Sequence, residues 1–176
     1  CRKNFREAHL SLSGQTDYSY NKEYVAQNER ADYLRYHALH ASLSTQWSGL
    51  SWFQPKLTLA GNLSWKKPDA FSATDNLLKN AYYSLTMDFY PISKLRLYAD
   101  FSQSVFEIAH SHYSVNSFLN AGLRYDFHPR WTVSADLSNL LNRKDYEVSL
   151  YQGANFQYYR VPLRGREFLV SLRFKY

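Results

Sequence analysis

The stretch Lys56-Leu57-Thr58-Leu59-Ala60-Gly61-Asn62-Leu63-Ser64-Trp65-Lys66 alternates between two kinds of side chain. Leu57, Leu59, Gly61, Leu63 and Trp65 share one parity; Lys56, Thr58, Ala60, Asn62, Ser64 and Lys66 share the other. Neighbouring side chains of a strand point to opposite faces, so this is a strand with one apolar and one polar face. The pattern recurs downstream. Ala81, Tyr83, Leu85, Met87 and Phe89 oppose Tyr82, Ser84, Thr86, Asp88 and Tyr90. Leu95, Leu97, Ala99 and Phe101 oppose Lys94, Arg96, Tyr98, Asp100 and Ser102. Leu119, Ala121, Leu123, Tyr125 and Phe127 oppose Phe118, Asn120, Gly122, Arg124 and Asp126, and Trp131, Val133, Ala135 and Leu137 oppose Thr132, Ser134, Asp136 and Ser138. Segments around Leu10 and from Leu39 to Trp47 fit more loosely. With the C-terminal segment, about eight antiparallel strands are expected.

Composition separates two kinds of β-protein. The 176 residues include 16 Tyr, 11 Phe and 4 Trp, yet the chain is hydrophilic on average. A soluble core would call for more aliphatic side chains, whereas a membrane barrel turns one row to lipid and the other to water. No apolar run reaches the roughly 18 residues of a spanning helix, so any crossing is made by strands. The net charge is +6, but Lys and Arg are dispersed, and nucleic-acid binding is not expected. Cys1 is the single cysteine, which rules out an internal disulfide framework.

Connections alternate in length. Short ones are expected at Ser48–Pro55, Pro91–Ser93 and His128–Arg130, long ones at Gln15–Asp32, Lys67–Lys79, Ser104–Ser114 and Leu140–Arg164. Outer-membrane barrels have short periplasmic turns and long extracellular loops. Pro55, Pro91 and Pro129 are assigned to the short turns. Trp47, Trp52, Phe53, Phe89, Tyr90, Phe127, Trp131 and Tyr176 then gather at the periplasmic ends as an interfacial girdle. A lumen-facing row is expected to contain Lys94, Arg96, Asp100, Arg124, Asp126, Asp136, Glu167, Arg173 and Lys175.

The chain ends on Gly165-Arg166-Glu167-Phe168-Leu169-Val170-Ser171-Leu172-Arg173-Phe174-Lys175-Tyr176. Phe168, Val170, Leu172, Phe174 and Tyr176 alternate to a terminal aromatic. This resembles the signal strand by which the barrel-assembly machinery recognises outer-membrane proteins, through pairing with an open strand edge. Upstream, Asn139-Leu140-Leu141-Asn142, Tyr146 and Gly165-Arg166 resemble the end of TonB-dependent outer-membrane receptors. The resemblance is specific over residues 131–176. It implies that residues 1–176 form the C-terminal part of an outer-membrane barrel, the last third of about 22 strands. A signal peptide and a plug domain are absent from the sequence, and TonB would be contacted through that missing N-terminal part. The implied setting is the Gram-negative outer membrane, with its lipid as partner. The implied function is TonB-dependent uptake of a nutrient such as a metal chelate or glycan, with a surface lipoprotein as a further candidate partner. The alternative is a complete eight-stranded barrel with an adhesin or structural role.

Catalytic and cofactor chemistry find no layout. There is no Gly-x-Ser-x-Gly elbow and no nucleophile with an evident base, so no enzyme is expected. His110 and His112 share a parity but lack a third ligand nearby, and His37 and His40 have opposite parity; no metal site or cofactor is expected. In the last long connection Tyr151, Phe156, Tyr158 and Tyr159 are candidate ligand-stacking aromatics.

Overall fold

The computed structural model describes residues 1–27, 30–67, 76–109, 112–152 and 155–176. It is all-β, and the described residues contain no helix, hence none long and apolar enough to cross a membrane. The strands are β1 (Arg2–Phe5), β2 (Leu10–Gln27), β3 (Arg30–Trp47), β4 (Phe53–Lys66), β5 (Asn76–Ile92), β6 (Leu95–Ala109), β7 (His112–His128), β8 (Trp131–Ser138), β9 (Asp145–Gln152), β10 (Asn155–Pro162) and β11 (Glu167–Phe174). Nine form one antiparallel sheet in the order β1-β2-β3-β4-β5-β6-β7-β8-β11, and β9 and β10 form a separate hairpin. Among the described residues β1 and β11 are the sheet's two ends and do not pair with each other.

The eight segments read from alternation are β2–β8 and β11. Their lengths differ from the sequence reading. Much of Gln15–Asp32 belongs to β2 and β3, which pair from Leu10↔Trp47 to Gln27↔Arg30. Likewise β6 and β7 run through most of Ser104–Ser114, from Leu95↔Tyr125 to Ala109↔His112 with an irregularity near Glu107. In the outer half of β2 Tyr alternates with Ser, Asn and Glu, so the apolar contrast fades. The aromatic residues retain strand propensity, and antiparallel pairing still satisfies the backbone. The connection Leu140–Arg164 is mostly the β9–β10 hairpin. Two prolines are also reassigned. Pro55 lies in β4 opposite Met87, and Pro91 falls in the irregularity between Phe89 and Ile92, where the ladder tolerates a missing donor. Of the three assigned to turns, Pro129 is in one.

Directly opposed residues share a face, so the pairings carry one parity across the sheet. Phe53↔Phe89, Phe89↔Leu97, Leu97↔Leu123, Leu123↔Ala135 and Ala135↔Val170 make one continuous apolar row over six strands. The other face is polar. Much of the apolar face is exposed within this chain. Leu34 and Leu78, 2% and 5% exposed, are the well-buried apolar side chains among the described residues. Buried polar ones include Asn116, Ser149, Ser114, Glu107, Lys66, Thr132 and Asn139.

Candidate functional site

Two surfaces stand out: the apolar face, and the corner of the polar face against which the β9–β10 hairpin docks.

The apolar face has no Asp, Glu, Lys or Arg over a broad band. In β3 the band runs Leu39, Ala41, Leu43, Thr45, Trp47; in β6 it runs Leu95, Leu97, Ala99, Phe101, Gln103, Val105. The matching rows of β2, β4, β7, β8 and β11 are equally uncharged, and in β5 the uncharged row runs from Ala81 to Phe89, with Lys79 opposite Leu63 at its upper end. Leu43, Leu59, Leu63, Phe168, Val170 and Leu172 are all exposed within this chain. Gln103, a polar residue in the band, is satisfied locally by accepting from the Tyr83 hydroxyl and donating to Ser117 Oγ at 2.5 Å.

Aromatic rims bound the band. At the short-turn end Trp47, Trp52, Phe53 and Phe89 form one cluster, with Phe53 and Phe89 ring centroids 4.7 Å apart. Tyr125, Phe127, Trp131 and Phe174 form a second, with Trp131 and Phe174 also at 4.7 Å. Of the expected girdle, Tyr90 has the parity of the polar face and Tyr176 is fully exposed beyond β11. The opposite rim was not anticipated from sequence. There Tyr18, Tyr20, His37 and Trp65 come together; His37 stacks on Trp65 at 5.1 Å and 3°, and its Nδ1 is 2.7 Å from the Tyr18 hydroxyl. Extending the alternation of β2 through Tyr18 and Tyr20 is the signal that finds it.

The short-turn rim is slanted. Pro55↔Met87, Met87↔Ala99, Ala99↔Ala121, Ala121↔Leu137 and Leu137↔Phe168 define a row perpendicular to the strands, level with Trp47 in β3. Phe174 lies six residues below Phe168. The rim therefore descends six residues over the six steps from β3 to β11.

On the polar face the charged row forms cross-strand contacts. Arg96 pairs with Asp88 at 2.7 Å, Thr86 donates to Asp100 at 2.8 Å, and Thr132 donates to Asp126 at 2.5 Å. Arg124 and Asp126 are 3.5 Å apart, as are Arg164 and Glu167. The Tyr98 hydroxyl donates to Asp136 at 2.5 Å across the intervening β7. Its ring lies over Gly122, where an added Cβ would stand 2.6 Å from the ring; only glycine admits that approach.

The resembling motif residues converge on the corner where β8 ends and β11 begins. Asn139 and Asn142 adopt φ of 52° and 55°, a left-handed conformation that asparagine tolerates better than most residues. The Asn139 amide donates to the carbonyls of Arg143 at 2.7 Å and Arg164 at 2.9 Å, and its Oδ1 accepts from the Arg143 N–H at 2.8 Å. Arg166 Nε donates to the Leu140 carbonyl at 2.9 Å. A Cβ on Gly165 would meet Asn142 Oδ1 at 3.2 Å. Leu141 is exposed. Tyr146 leaves this corner to pack between Phe106 and Phe118, with centroids at 6.1 and 6.2 Å. The motif is a clasp that fixes both roots of the hairpin.

The hairpin then lies on the polar face of β6 and β7 by the free edge of β9. Asn116, 0% exposed, donates to the Glu147 carbonyl at 2.6 Å and accepts from the Glu147 N–H at 3.1 Å, standing in for a neighbouring strand. Ser149 Oγ donates to the Glu107 carbonyl at 2.6 Å, and Ser114 Oγ donates to the Glu147 carboxylate at 2.6 Å. The Ser114 hydrogen bond is the leading reason the Glu147 carboxyl is held below its ordinary value. Arg160 bonds Asp145 at 2.6 Å and lies 3.7 Å from Glu147. Tyr158 is pushed above the ordinary tyrosine value, first by desolvation and then by its bond to Glu147.

Tyr158 and Tyr159 are exposed and sit opposite Ser149 and Val148, so they point to different faces of the hairpin. Tyr151 and Phe156 pair in its ladder, but their side chains lie outside what is described, as does His110. The described residues contain no cluster of three metal-ligating side chains. No family model, no curated protein and no solved structure matches this chain.

Proposed function

We propose that this chain is part of the barrel wall of an outer-membrane receptor of the TonB-dependent type. In this reading the apolar face contacts acyl chains and the hairpin folds toward the lumen. The observation that carries it is the uncharged band between two aromatic rims. Taking the short-turn rim as parallel to the membrane, one residue of descent per strand is about 3.3 Å in about 4.8 Å, a strand tilt of roughly 35°. Barrel strands tilt by about 35–45°. From Trp47 to His37 is ten residues, about 33 Å along the strand and about 27 Å along the normal at that tilt. The apolar belt of outer-membrane barrels is about 25 Å tall. The Asn139 clasp and the hairpin support the receptor form of this reading, since they give the motif-like residues a shared role in fixing a large inward-lying loop.

The test is nutrient-limited growth and labelled uptake in cells with and without the protein that contains this chain, in TonB-positive and TonB-negative backgrounds. Fractionation to the outer membrane and an uptake defect that is equal, not additive, in the two single deletions are expected. Uptake that survives loss of TonB but not of the protein would contradict the energised mechanism.

A further inference from the structure

Just beyond the His37 rim, the outward face changes character within one step. Tyr20↔His37 and His37↔Trp65 form one row across β2, β3 and β4. The next row on the same face is Lys22, Arg35 and Lys67: Lys22↔Arg35 is paired, and the Lys67 N–H donates to the Arg35 carbonyl at 3.2 Å. Two residues separate the rows, about 6–7 Å along the strand. All three cations are exposed. The described residues of this face above the rim of β2–β4 contain no Asp or Glu, and none of the three cations forms an ion pair among them. Lys22 is positioned by Tyr33, its ammonium 4.0 Å from the ring centroid. The polar face has acids at the same height, Asp32 in β3 and Glu23 in β2, so the sorting of charge is by face.

Building on the membrane reading above, we propose that Lys22, Arg35 and Lys67 form a docking row for phosphate-bearing lipid headgroups in the leaflet at the long-connection end. An apolar band, an aromatic row and then exposed cations follow the order of acyl chains, interface and headgroup phosphates along a membrane normal. Arg35 can meet a phosphate with two parallel N–H bonds, and the flanking lysines add point charges on either side. A soluble acidic partner is disfavoured by the position, since the row is continuous with the face that contacts lipid.

The experiment reconstitutes the whole protein that contains this chain in phosphatidylcholine vesicles with or without phosphatidic acid. Lipid retained on the protein is counted by native mass spectrometry, and tryptophan quenching by brominated acyl chains reports insertion. The wild type is expected to retain phosphatidic acid preferentially, with a preference that weakens as salt is raised. The K22Q/R35Q/K67Q variant is expected to lose roughly tenfold of that preference with unchanged quenching, while K94Q/K175Q, on the other face and at the other end, keeps it. Equal preference in wild type and triple variant with normal quenching overturns the headgroup row alone. Absence of quenching in the wild type overturns the membrane reading and the row with it. Inorganic phosphate binding the detergent-solubilised protein as tightly as phosphatidic acid would overturn the assignment to lipid.

Discussion

The apolar face and the hairpin corner of the polar face hold opposite relations to the rest of the chain. Leu59, in the middle of the apolar face, is 43% exposed. Asn116, on the polar face, is 0% exposed and satisfies both backbone groups of Glu147. A large open apolar surface marks a contact with a partner, a ligand or lipid, whereas a buried amide is stable only when its bonds are made. The sheet therefore leaves one face open for contact and uses the other to hold its own hairpin.

The sharpest way to break this comparison is to exchange charge between the faces. Leu59→Arg is expected to cost about 2–4 kcal/mol in the reconstituted protein, and Thr58→Arg, one residue away on the polar face, under about 0.5 kcal/mol. Denaturant unfolding from vesicles measures both; equal costs would remove the distinction. Next in size is Asn116→Ala, expected to weaken hairpin docking by about 2 kcal/mol by stripping Glu147 of its partners. Hydrogen exchange should then accelerate in β9 and β10 but not in β4. Gly122→Ala is expected to cost about 1 kcal/mol by displacing Tyr98 from Asp136. Coupling of this change to Tyr98→Phe in a double-mutant cycle tests that cause against a general loss of strand packing.

The smallest effect is on pH. The Glu147 carboxyl sits below its ordinary value when the hairpin is docked. Docking is thus favoured above the ordinary carboxylate value and loses that support as pH falls through the lowered one. Exchange in the hairpin should rise in acid, and Glu147→Gln should flatten the dependence.

What could be read from sequence follows the same division. β4 was legible because Leu57, Leu59 and Leu63 contrast with Thr58 and Asn62 at every step. The outer half of β2 was not, because Tyr18, Tyr20 and Tyr24 alternate with Ser19, Asn21 and Glu23, a pattern that polar loops also show. Asn139 and Asn142 could be singled out by position. Their left-handed φ and the bonds from Asn139 to Arg143 and Arg164 depend on β11 returning beside β8. The docking of β9 rests on Asn116, 31 residues away from Glu147, and local periodicity has no access to a contact of that separation. The Tyr98–Gly122–Asp136 row likewise needs three strands in register.

The most direct measurement is a spin-label scan of Lys56 to Lys66 in the reconstituted protein, recording collision with oxygen and with a water-soluble nickel chelate. Oxygen maxima are expected at Leu57, Leu59, Gly61 and Leu63 and chelate maxima at Thr58, Ala60, Asn62 and Ser64, out of phase along the strand. Chelate access at Leu59 equal to that at Thr58 would contradict that pattern.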